Sequence, residues 1–314
     1  MNTYKPEGSF ISSQKNFEYI SSITGLERAL ERQIILEGSV VLCDHELNLH
    51  VDLPAKIKGI IPREEVLWTN DGQVSKDIAI LTRVGKTVCF KVIGFKKNIK
   101  GDLVAILSRR AAQEECYHNY ICGLIPGDII HSKVTHLDNF GAFVDIGCGI
   151  ISLLSIDCIS VSRITHPSER LSVGDSIYTV VKGADTKGRL FVSLRELLGT
   201  WEENAALFRE GDTVSGIIRS VENYGIFVEL TPNLAGLAEF RGNIYSGQTA
   251  AVYIKSILPD KMKIKLIIID AYDNAIFSEG LNYFIDTSTV SHINNWTYSP
   301  KKSKKIIESV FAKL

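Results

Sequence analysis

The chain has 314 residues, which is too long for one small domain and long enough for two or three domains with separate cores. Hydrophobic residues make up 45% and charged residues 23%, so the composition is globular and excludes wholesale disorder and collagen-like or coiled-coil repetition. Lysine and arginine total 35 against 36 acidic residues, which leaves a net charge of −1. A basic field over the whole molecule is therefore excluded, and any RNA contact must come from a local surface.

The N-terminal sequence lacks a basic-then-apolar signal pattern, and no window approaches the ~20 apolar residues that span a bilayer. We therefore expect a cytoplasmic protein that has no membrane partner. The six cysteines include no CxxC pair, which is typical of reduced, structural thiols.

The first predicted element is a helix over residues 24–36. Thr24 and Glu27 have the spacing of a capping box, and apolar residues follow at helical intervals. We expect the residues before this helix to be frayed.

An internal repeat is the most informative feature of the sequence. The segment Gly127–Asp145 aligns without a gap to Gly211–Glu229, 84 residues later. Both segments read Gly-Asp, an alternating strand, a polar turn and then aromatic-Gly-x-Phe-Val-acid. The same spacing aligns Tyr117 with Trp201 in a short helical connector, where Trp201 is expected to anchor the linker by packing. Two copies of one structural unit are therefore predicted.

A fainter copy precedes these two. Val41–Leu53 aligns with Val134–Ile146 at a spacing of 93 residues, but Leu47, Asn48 and His50 stand in place of Phe140, Gly141 and Phe143. This copy is expected to share the fold without sharing the aromatic surface.

The strand pattern predicts the fold class. Each copy holds short alternating strands separated by turn residues, and five such strands can close a small barrel of the oligonucleotide- and oligosaccharide-binding (OB) type. We predict a mainly β protein of three tandem five-stranded antiparallel OB barrels, joined by short helical linkers, with a C-terminal helical tail. The third copy is too short between Phe240 and Gly247 for the loop helix that the other copies can hold.

The predicted organisation has seven segments. Outside the barrels lie an N-terminal extension, two helical linkers and a C-terminal extension whose last residues, after Lys301–Lys305, form one apolar helical face. The segments are 1–35 (extension), 36–110 (degenerate barrel), 111–126 (linker), 127–197 (second barrel), 198–210 (linker), 211–270 (third barrel) and 271–314 (extension with a basic amphipathic helix).

Strand alternation separates core from surface in the second and third copies. Phe143 and Phe227 have the outward parity, and Phe140 and Tyr224 lie three residues earlier at the preceding turn. Two exposed aromatics with glycine between them, repeated in two copies, indicate a platform on which single-stranded bases stack. The same parity directs Lys133, Thr135, Asp145, Ile217, Arg219 and Glu229 outward.

Charged residues near the last turn of each copy complete the predicted site. Asp185 and Arg189 flank this turn in the second copy, and Lys261, Lys263 and Lys265 follow it in the third. The predicted RNA-binding residues are Phe140, Phe143, Lys133, Asp185, Arg189, Tyr224, Phe227, Arg219, Lys261 and Lys263.

These stretches resemble a known family. The segments FGAFVDIG, YGIFVELT and GADTKGRLFVSLRE are similar to S1 RNA-binding domains, the OB repeats named after bacterial small-subunit ribosomal protein S1. The whole chain resembles the short three-domain S1-like proteins of Firmicutes such as clostridia. The resemblance implies RNA bound by two aromatics, a histidine of the third strand, and an Asp and Arg near the final turn. Ser155, Glu239 and Pro62 occupy the histidine position here.

The resemblance implies a noncatalytic protein of translation that binds single-stranded RNA, including mRNA, with its second and third barrels. The first barrel would dock to the small ribosomal subunit or another protein. The rival hypothesis is an interaction adaptor whose RNA contacts are incidental, because OB barrels serve many functions. No catalytic constellation or phosphate-binding loop is evident. We expect a monomer with no cofactor, no metal and no small-molecule substrate.

Overall fold

The computed structural model describes residues 4–55, 57–69, 77–98, 101–273 and 280–311. Its three closed five-stranded barrels confirm the predicted fold class. The chain divides into two compact units, which comprise Met1–Leu124 with His131–Lys133 and Asp145–Ile151, and Ile125–Ile130 with Val134–Val144 and Ser152–Leu314.

Two helices precede the first barrel, α1 (Gln14–Ile20) and α2 (Ile23–Arg32). The predicted capping box is wrong, because Ser22 is the N-cap of α2 and accepts a hydrogen bond from the backbone N–H of Gly25. The helix ends before residue 36 because Gln33 adopts a left-handed conformation (φ 52°).

The expectation of a frayed N-terminus is also wrong over the described residues from Tyr4 onward. Asn16 of α1 is buried and exchanges two hydrogen bonds with the backbone of Glu37, at 2.9 and 3.0 Å. Glu7 lies deeper in the first unit, where its carboxylate accepts a hydrogen bond from Nε of the fully buried Arg109 at 2.7 Å. These contacts join residues far apart in sequence, so no local pattern announces them.

The first barrel follows α2 and closes around a core that includes Val40, Leu49, Phe90 and Leu107. Helix α3 (Asp77–Leu81) lies between its third and fourth strands. The strands are β1 (Leu36–Cys43), β2 (Leu49–Asp52), β3 (Lys58–Ile61), β4 (Thr87–Lys97) and β5 (Leu103–Ser108).

The second barrel follows helix α4 (Arg109–Asn119). All six residues with the inward parity are buried, which confirms the alternation within this barrel. They are Ile130, Ser132, Val134, Ala142, Val144 and Ile146. The strands are β6 (Ile129–Asp138), β7 (Gly141–Asp145), β8 (Ile151–Ser155), β9 (Ser176–Ala184) and β10 (Leu190–Ser193).

The third barrel follows the short helix α5 (Trp201–Ala205). Trp201 is buried in the core of this barrel, so it is the packing anchor that the sequence predicts. Residues 241–246 contain no helix, in agreement with the short spacing there. The strands are β11 (Thr213–Glu222), β12 (Gly225–Thr231), β13 (Leu234–Ala238), β14 (Thr249–Leu258) and β15 (Lys263–Tyr272).

All three barrels share one strand order. Counting from the first strand of each barrel, the order is 1-2-3-5-4, which is the same in every copy. The third and fifth strands pair in parallel, whereas the fourth and fifth strands pair antiparallel. This shared register allows residues of different barrels to be matched by their pairing partners rather than by sequence spacing.

The predicted C-terminal helix is wrong over the described part of the tail. Strands β16 (Asn295–Thr297) and β17 (Glu308–Val310) pair as an antiparallel hairpin instead. Trp296 and Tyr298 alternate into the core of the second unit, and the backbone N–H of Tyr298 donates to the carbonyl of Ile307 at 2.9 Å. Pairing within this hairpin overrides the helical spacing. Among the described residues, no helix is long and apolar enough to cross a membrane.

Candidate nucleic-acid interface

The second barrel presents two aromatic rings at the β6–β7 hairpin. Phe140 lies in the turn with 51% of its surface exposed, and Phe143 is half-buried on β7. The ring centroids are 5.8 Å apart and the ring planes meet at 89°, an edge-to-face contact. We call this pair the second-barrel platform. It leaves ring faces available to a flat ligand.

The third barrel repeats this arrangement at β11–β12. Tyr224 is 70% exposed in the turn, and Phe227 is half-buried on β12. Their centroids are 6.2 Å apart with planes at 85°. We call this pair the third-barrel platform. The two platforms have the same geometry in barrels that share no strand, so the rings are a repeated surface feature.

The glycine between the aromatics serves a close approach of the backbone. A Cβ on Gly141 would lie 2.4 Å from the carbonyl oxygen of Leu154, and a Cβ on Gly225 would lie 2.6 Å from that of Ala238. In both barrels the second strand therefore packs too tightly on the third for any side chain at this position. The glycine therefore fixes the position of the backbone between the two rings of each platform.

A third ring, which the sequence analysis missed, borders the second-barrel platform. His136 is exposed on β6, and its ring lies 6.0 Å from that of Phe143 with the planes inclined by only 23°. Strict alternation from Val134 would turn His136 inward. The third barrel shows why alternation fails, because a bulge between Ile218 and Ser220 places Ser220 opposite Phe227.

The predicted charged group at the last turn of the second barrel is assembled. Arg189 is 70% exposed and lies 2.7 Å from the carboxylate of Asp185. Asp185 also accepts hydrogen bonds from the backbone N–H groups of Lys187 and Arg189, both at 2.9 Å. Hydrogen bonds from Arg189 and Lys187 lower the pKa of Asp185. The turn thus presents a guanidinium that is oriented yet solvated. Lys261 and Lys263 are likewise exposed at the corresponding turn of the third barrel.

Lys133 is only partly available. Its side chain is half-buried, and Nζ donates a hydrogen bond to the backbone carbonyl of Glu7 at 3.1 Å. One of the hydrogen bonds that Lys133 could donate to an RNA phosphate is therefore donated to the N-terminal segment instead.

Arg219 corrects the expectation of a free outward cation. Its Nε donates to the Glu229 carboxylate at 2.8 Å, and its Nη1 contacts Glu169. Glu229 also accepts a hydrogen bond from Nη2 of Arg170. The side chain of Arg219 is only 10% exposed within this cluster. The predicted outward direction of Arg219 is right, but the segment that contains Glu169 and Arg170 covers the side chain.

Asp145, which matches Glu229 in the repeat, is covered in a similar way. Its carboxylate accepts hydrogen bonds from the backbone N–H groups of Glu7, Gly147 and Gly149 at 2.7 to 3.0 Å. Burial and the nearby Glu7 carboxylate raise the pKa of Asp145 to about 7. Asp145, the acid that ends the repeated motif, therefore holds these backbone segments in place rather than facing solvent.

The histidine position of the resemblance is the last residue of the third strand in the second barrel and the residue just after that strand in the other two. Ser155 is half-buried there and Glu239 is exposed. Neither side chain supplies an imidazole, whereas His136 places one beside Phe143 from another strand.

At the hairpin that corresponds to the two platforms, the first barrel carries no aromatic pair. Its Leu47 and His50 are both half-buried, and Nε2 of His50 lies 3.0 Å from the carboxylate of Asp44. Although burial opposes it, hydrogen bonds from His50 and Asn48 lower the pKa of Asp44 to about 2. The imidazole at the position of Phe143 is thus held by its own barrel.

Comparison with known families agrees with this geometry. The family model described as the S1 RNA-binding domain matches residues 124–195. These residues belong to the S1 RNA-binding domain family. The match begins after α4 and covers the whole second barrel, including its aromatic platform and the Asp185–Arg189 turn.

Curated relatives extend the similarity beyond this S1 domain. A protein of Staphylococcus aureus strain N315 named small ribosomal subunit protein bS1 is 30% identical over 236 residues, which cover 73% of this chain and 57% of the relative. The protein of the same name from Staphylococcus saprophyticus is 34% identical over 138 residues, covering 42% of this chain and 35% of the relative. The matched region thus spans little more than half the length of the first relative and about a third of the second.

Solved structures give local similarities. A multidomain protein with nucleic acid binding domains from Streptococcus pneumoniae is 16% identical, with a TM-score of 0.25 and coverage of 76% of this chain and 73% of that chain. GSP13 from Bacillus subtilis is 27% identical, with a TM-score of 0.23 and coverage of 29% and 77%, respectively.

Proposed function

We propose that this S1-domain protein binds single-stranded RNA, including mRNA, as a noncatalytic cytoplasmic component of translation. The observation that carries the proposal is the recurrence of one aromatic pair, with edge-to-face contacts at 5.8 and 6.2 Å, on two barrels. Exposed ring faces on an OB surface suit unpaired bases, which stack for roughly 1 to 3 kcal/mol each. The proposed RNA-binding residues are the two platforms, Asp185, Arg189, Lys261 and Lys263, with a partial contribution from Lys133.

Two modest sites on one chain suit capture without sequence preference. Once one platform holds a strand, the other meets it at an effective concentration of order mM, so that avidity exceeds either affinity. Each site alone remains weak enough to release the message.

The relatives' names supply the link to translation. We propose that the chain associates with the small ribosomal subunit as a monomer and that the first barrel, which lacks the exposed aromatic pair of the other two barrels, makes this contact. This assignment leaves the second and third barrels free to hold RNA.

The test is binding of a fluorescent mixed-sequence 12-nucleotide RNA, single-stranded or annealed to its complement, between 50 and 300 mM salt. We expect the single strand to bind more tightly, and its affinity to fall with salt as phosphates release counterions. The Phe140→Ala/Phe143→Ala variant should bind more weakly at every salt concentration. Equal binding of single strand and duplex, or an unaffected platform variant, would favour the adaptor hypothesis instead.

A further inference from the structure

The fifth strand of each barrel carries one residue in line with the platform. In the second barrel, Leu153 of the third strand pairs with Phe191 of β10. In the third barrel, Phe227 pairs with Leu237, which in turn pairs with Lys265 of β15. Since Leu153 and Leu237 match in the repeat, Phe191 and Lys265 occupy equivalent positions.

A second pairing supports this equivalence independently. Phe191 lies opposite Gly183 next to a bulge in the β9–β10 ladder. Lys265 lies opposite Ser256 next to a bulge at the same place in the β14–β15 ladder. The shorter loop of the third copy changes the sequence spacing, so gap-free alignment of the repeats does not match these two residues. Only the strand register does.

The surroundings of Phe191 form a row of ring and aliphatic side chains. His136 lies beside Phe143, and Leu153 pairs with Phe191, which is 37% exposed. Phe143 and Leu153 match Phe227 and Leu237, which pair in the third barrel, so the row continues from the platform to the fifth strand. A Cβ placed on Gly183 would meet no atom within 4 Å, so the space over β9 beside the Phe191 ring is open. A planar group can therefore lie against this ring without displacing protein.

The third barrel has a different chemistry at the same point. Lys265 is exposed between Leu237 and Ser256, so the row from Phe227 ends in a primary ammonium rather than a ring. An ammonium on a flexible stem suits a phosphate, whereas a ring suits a base.

We propose that Phe191 forms an additional base-stacking site in the second barrel and that Lys265 contacts a phosphate at the equivalent site of the third. This inference rests on the proposed function, since it extends the path of single-stranded RNA beyond each platform to the fifth strand. Because stacking involves no counterion release whereas phosphate contact does, the two residues differ in their response to salt.

The experiment measures the affinity of the full chain for the single-stranded 12-nucleotide RNA from 50 to 300 mM salt. Phe191→Ala should weaken binding roughly 5-fold or more by the same factor at every salt concentration. Lys265→Gln should weaken binding mainly at low salt and make the slope of log affinity against log salt shallower by about 0.7. Ile267→Ala, an exposed apolar residue farther along β15, is the matched control and should change neither quantity.

The outcomes separate this inference from the proposed function. If Phe140→Ala/Phe143→Ala weakens binding but Phe191→Ala and Lys265→Gln do not, the fifth-strand sites are refuted while the platforms stand. If the platform variant also binds normally, the proposed function fails. Phe191→Leu keeps the apolar contact with Leu153 and removes the ring, so it replaces Phe191→Ala should circular dichroism show that variant to be unfolded. Wild-type affinity of folded Phe191→Leu would overturn the stacking site.

Discussion

Arg219 and Glu229 lie on neighbouring strands of the third barrel, where Nε of the arginine donates to the carboxylate at 2.8 Å. Arg170 contacts the same carboxylate, and Glu169 contacts the same guanidinium. Glu229 is only 4% exposed, so this cluster is screened little by solvent. Arg219 therefore stabilises the fold of the second unit.

This structural role of Arg219 predicts that substitutions of Arg219 and Arg189 have different effects. Arg219→Gln should destabilise the second unit by about 3 to 5 kcal/mol, because it removes one partner from a buried ion-pair cluster. Arg189→Gln, at an exposed position, should leave the melting temperature nearly unchanged and make the salt slope of RNA binding shallower by about 0.7. Thermal melting and salt titration of both variants test the assignment. An Arg219→Gln protein of normal stability with a shallower salt slope would restore Arg219 as a phosphate contact.

The platforms predict a loss of binding without loss of fold. Phe143→Ala combined with Phe227→Ala should weaken single-stranded RNA binding by about 1 to 3 kcal/mol for each base that loses its ring. The circular dichroism spectrum should remain that of the folded protein, because both side chains point away from the barrel cores. Phe17→Ala removes an exposed phenylalanine from α1 and serves as the control. Unfolding of the double variant would show that the rings belong to the core.

Strand content was predictable because the inward residues of each copy alternate with a period of two and the second and third copies align without a gap. The C-terminal tail shows the limit of such patterns. Ile307 and Phe311 have helical spacing, yet Ile307 accepts a backbone hydrogen bond from Tyr298 in an extended hairpin. Pairing with the preceding strand of the hairpin overrode the local helical spacing. Glu7 and Arg109 illustrate the same limit, since their ion pair joins residues 102 positions apart.

The candidate site was predictable where both rings of a platform lie three residues apart in one hairpin. The residues of the site whose positions depend on strand pairing were not predictable. His136 escaped because it departs from strict alternation after Val134, and at the equivalent position of the third barrel a bulge before Ser220 causes this departure. Phe191 escaped because its match to Lys265 depends on pairing rather than spacing. The burial of Arg219 and Asp145 escaped because the covering chain comes from elsewhere in each unit.

His136 predicts a difference between the two platforms. His136→Ala should weaken RNA binding severalfold, because it removes a ring that lies nearly parallel to that of Phe143. Ser220→Ala at the equivalent position of the third barrel is the matched control and should have no effect. His136→Phe restores an aromatic face, so it should recover most of the affinity. Equal affinities of all three variants would remove His136 from the site.

Asp145 predicts a pH dependence of the first unit. Its pKa of about 7 in the folded protein lies above the usual value near 3.9, so folding binds a proton between these limits. The free energy of unfolding should therefore fall as pH rises from 5 to 7, by at most about 1.4 kcal/mol per pH unit. The pKa of Glu7 is lowered, so Glu7 titrates below this pH range. Its ion pair with Arg109 therefore weakens only at pH values below the range. Hydrogen exchange of the buried β4 amides, corrected for intrinsic rates, measures the trend, and Asp145→Asn should flatten it. A trend unchanged by this substitution would assign it to another group.

The last prediction separates RNA binding from ribosome association within the full chain. The full chain is needed because a fragment without Glu7 would leave the fully buried guanidinium of Arg109 without its carboxylate. Removing all four rings of the two platforms should abolish most single-stranded RNA binding, since at the platform positions the first barrel carries Leu47 and a His50 held by Asp44. This variant should still co-sediment with small ribosomal subunits. The converse variant, Val41→Asp with Leu42→Asp, places charges on two apolar side chains of β1 that are more than half exposed, and it should lose co-sedimentation while keeping RNA affinity. Strong RNA binding by the four-ring variant would show that the first barrel binds RNA, and loss of both activities together would show that the chain reaches the ribosome only through RNA.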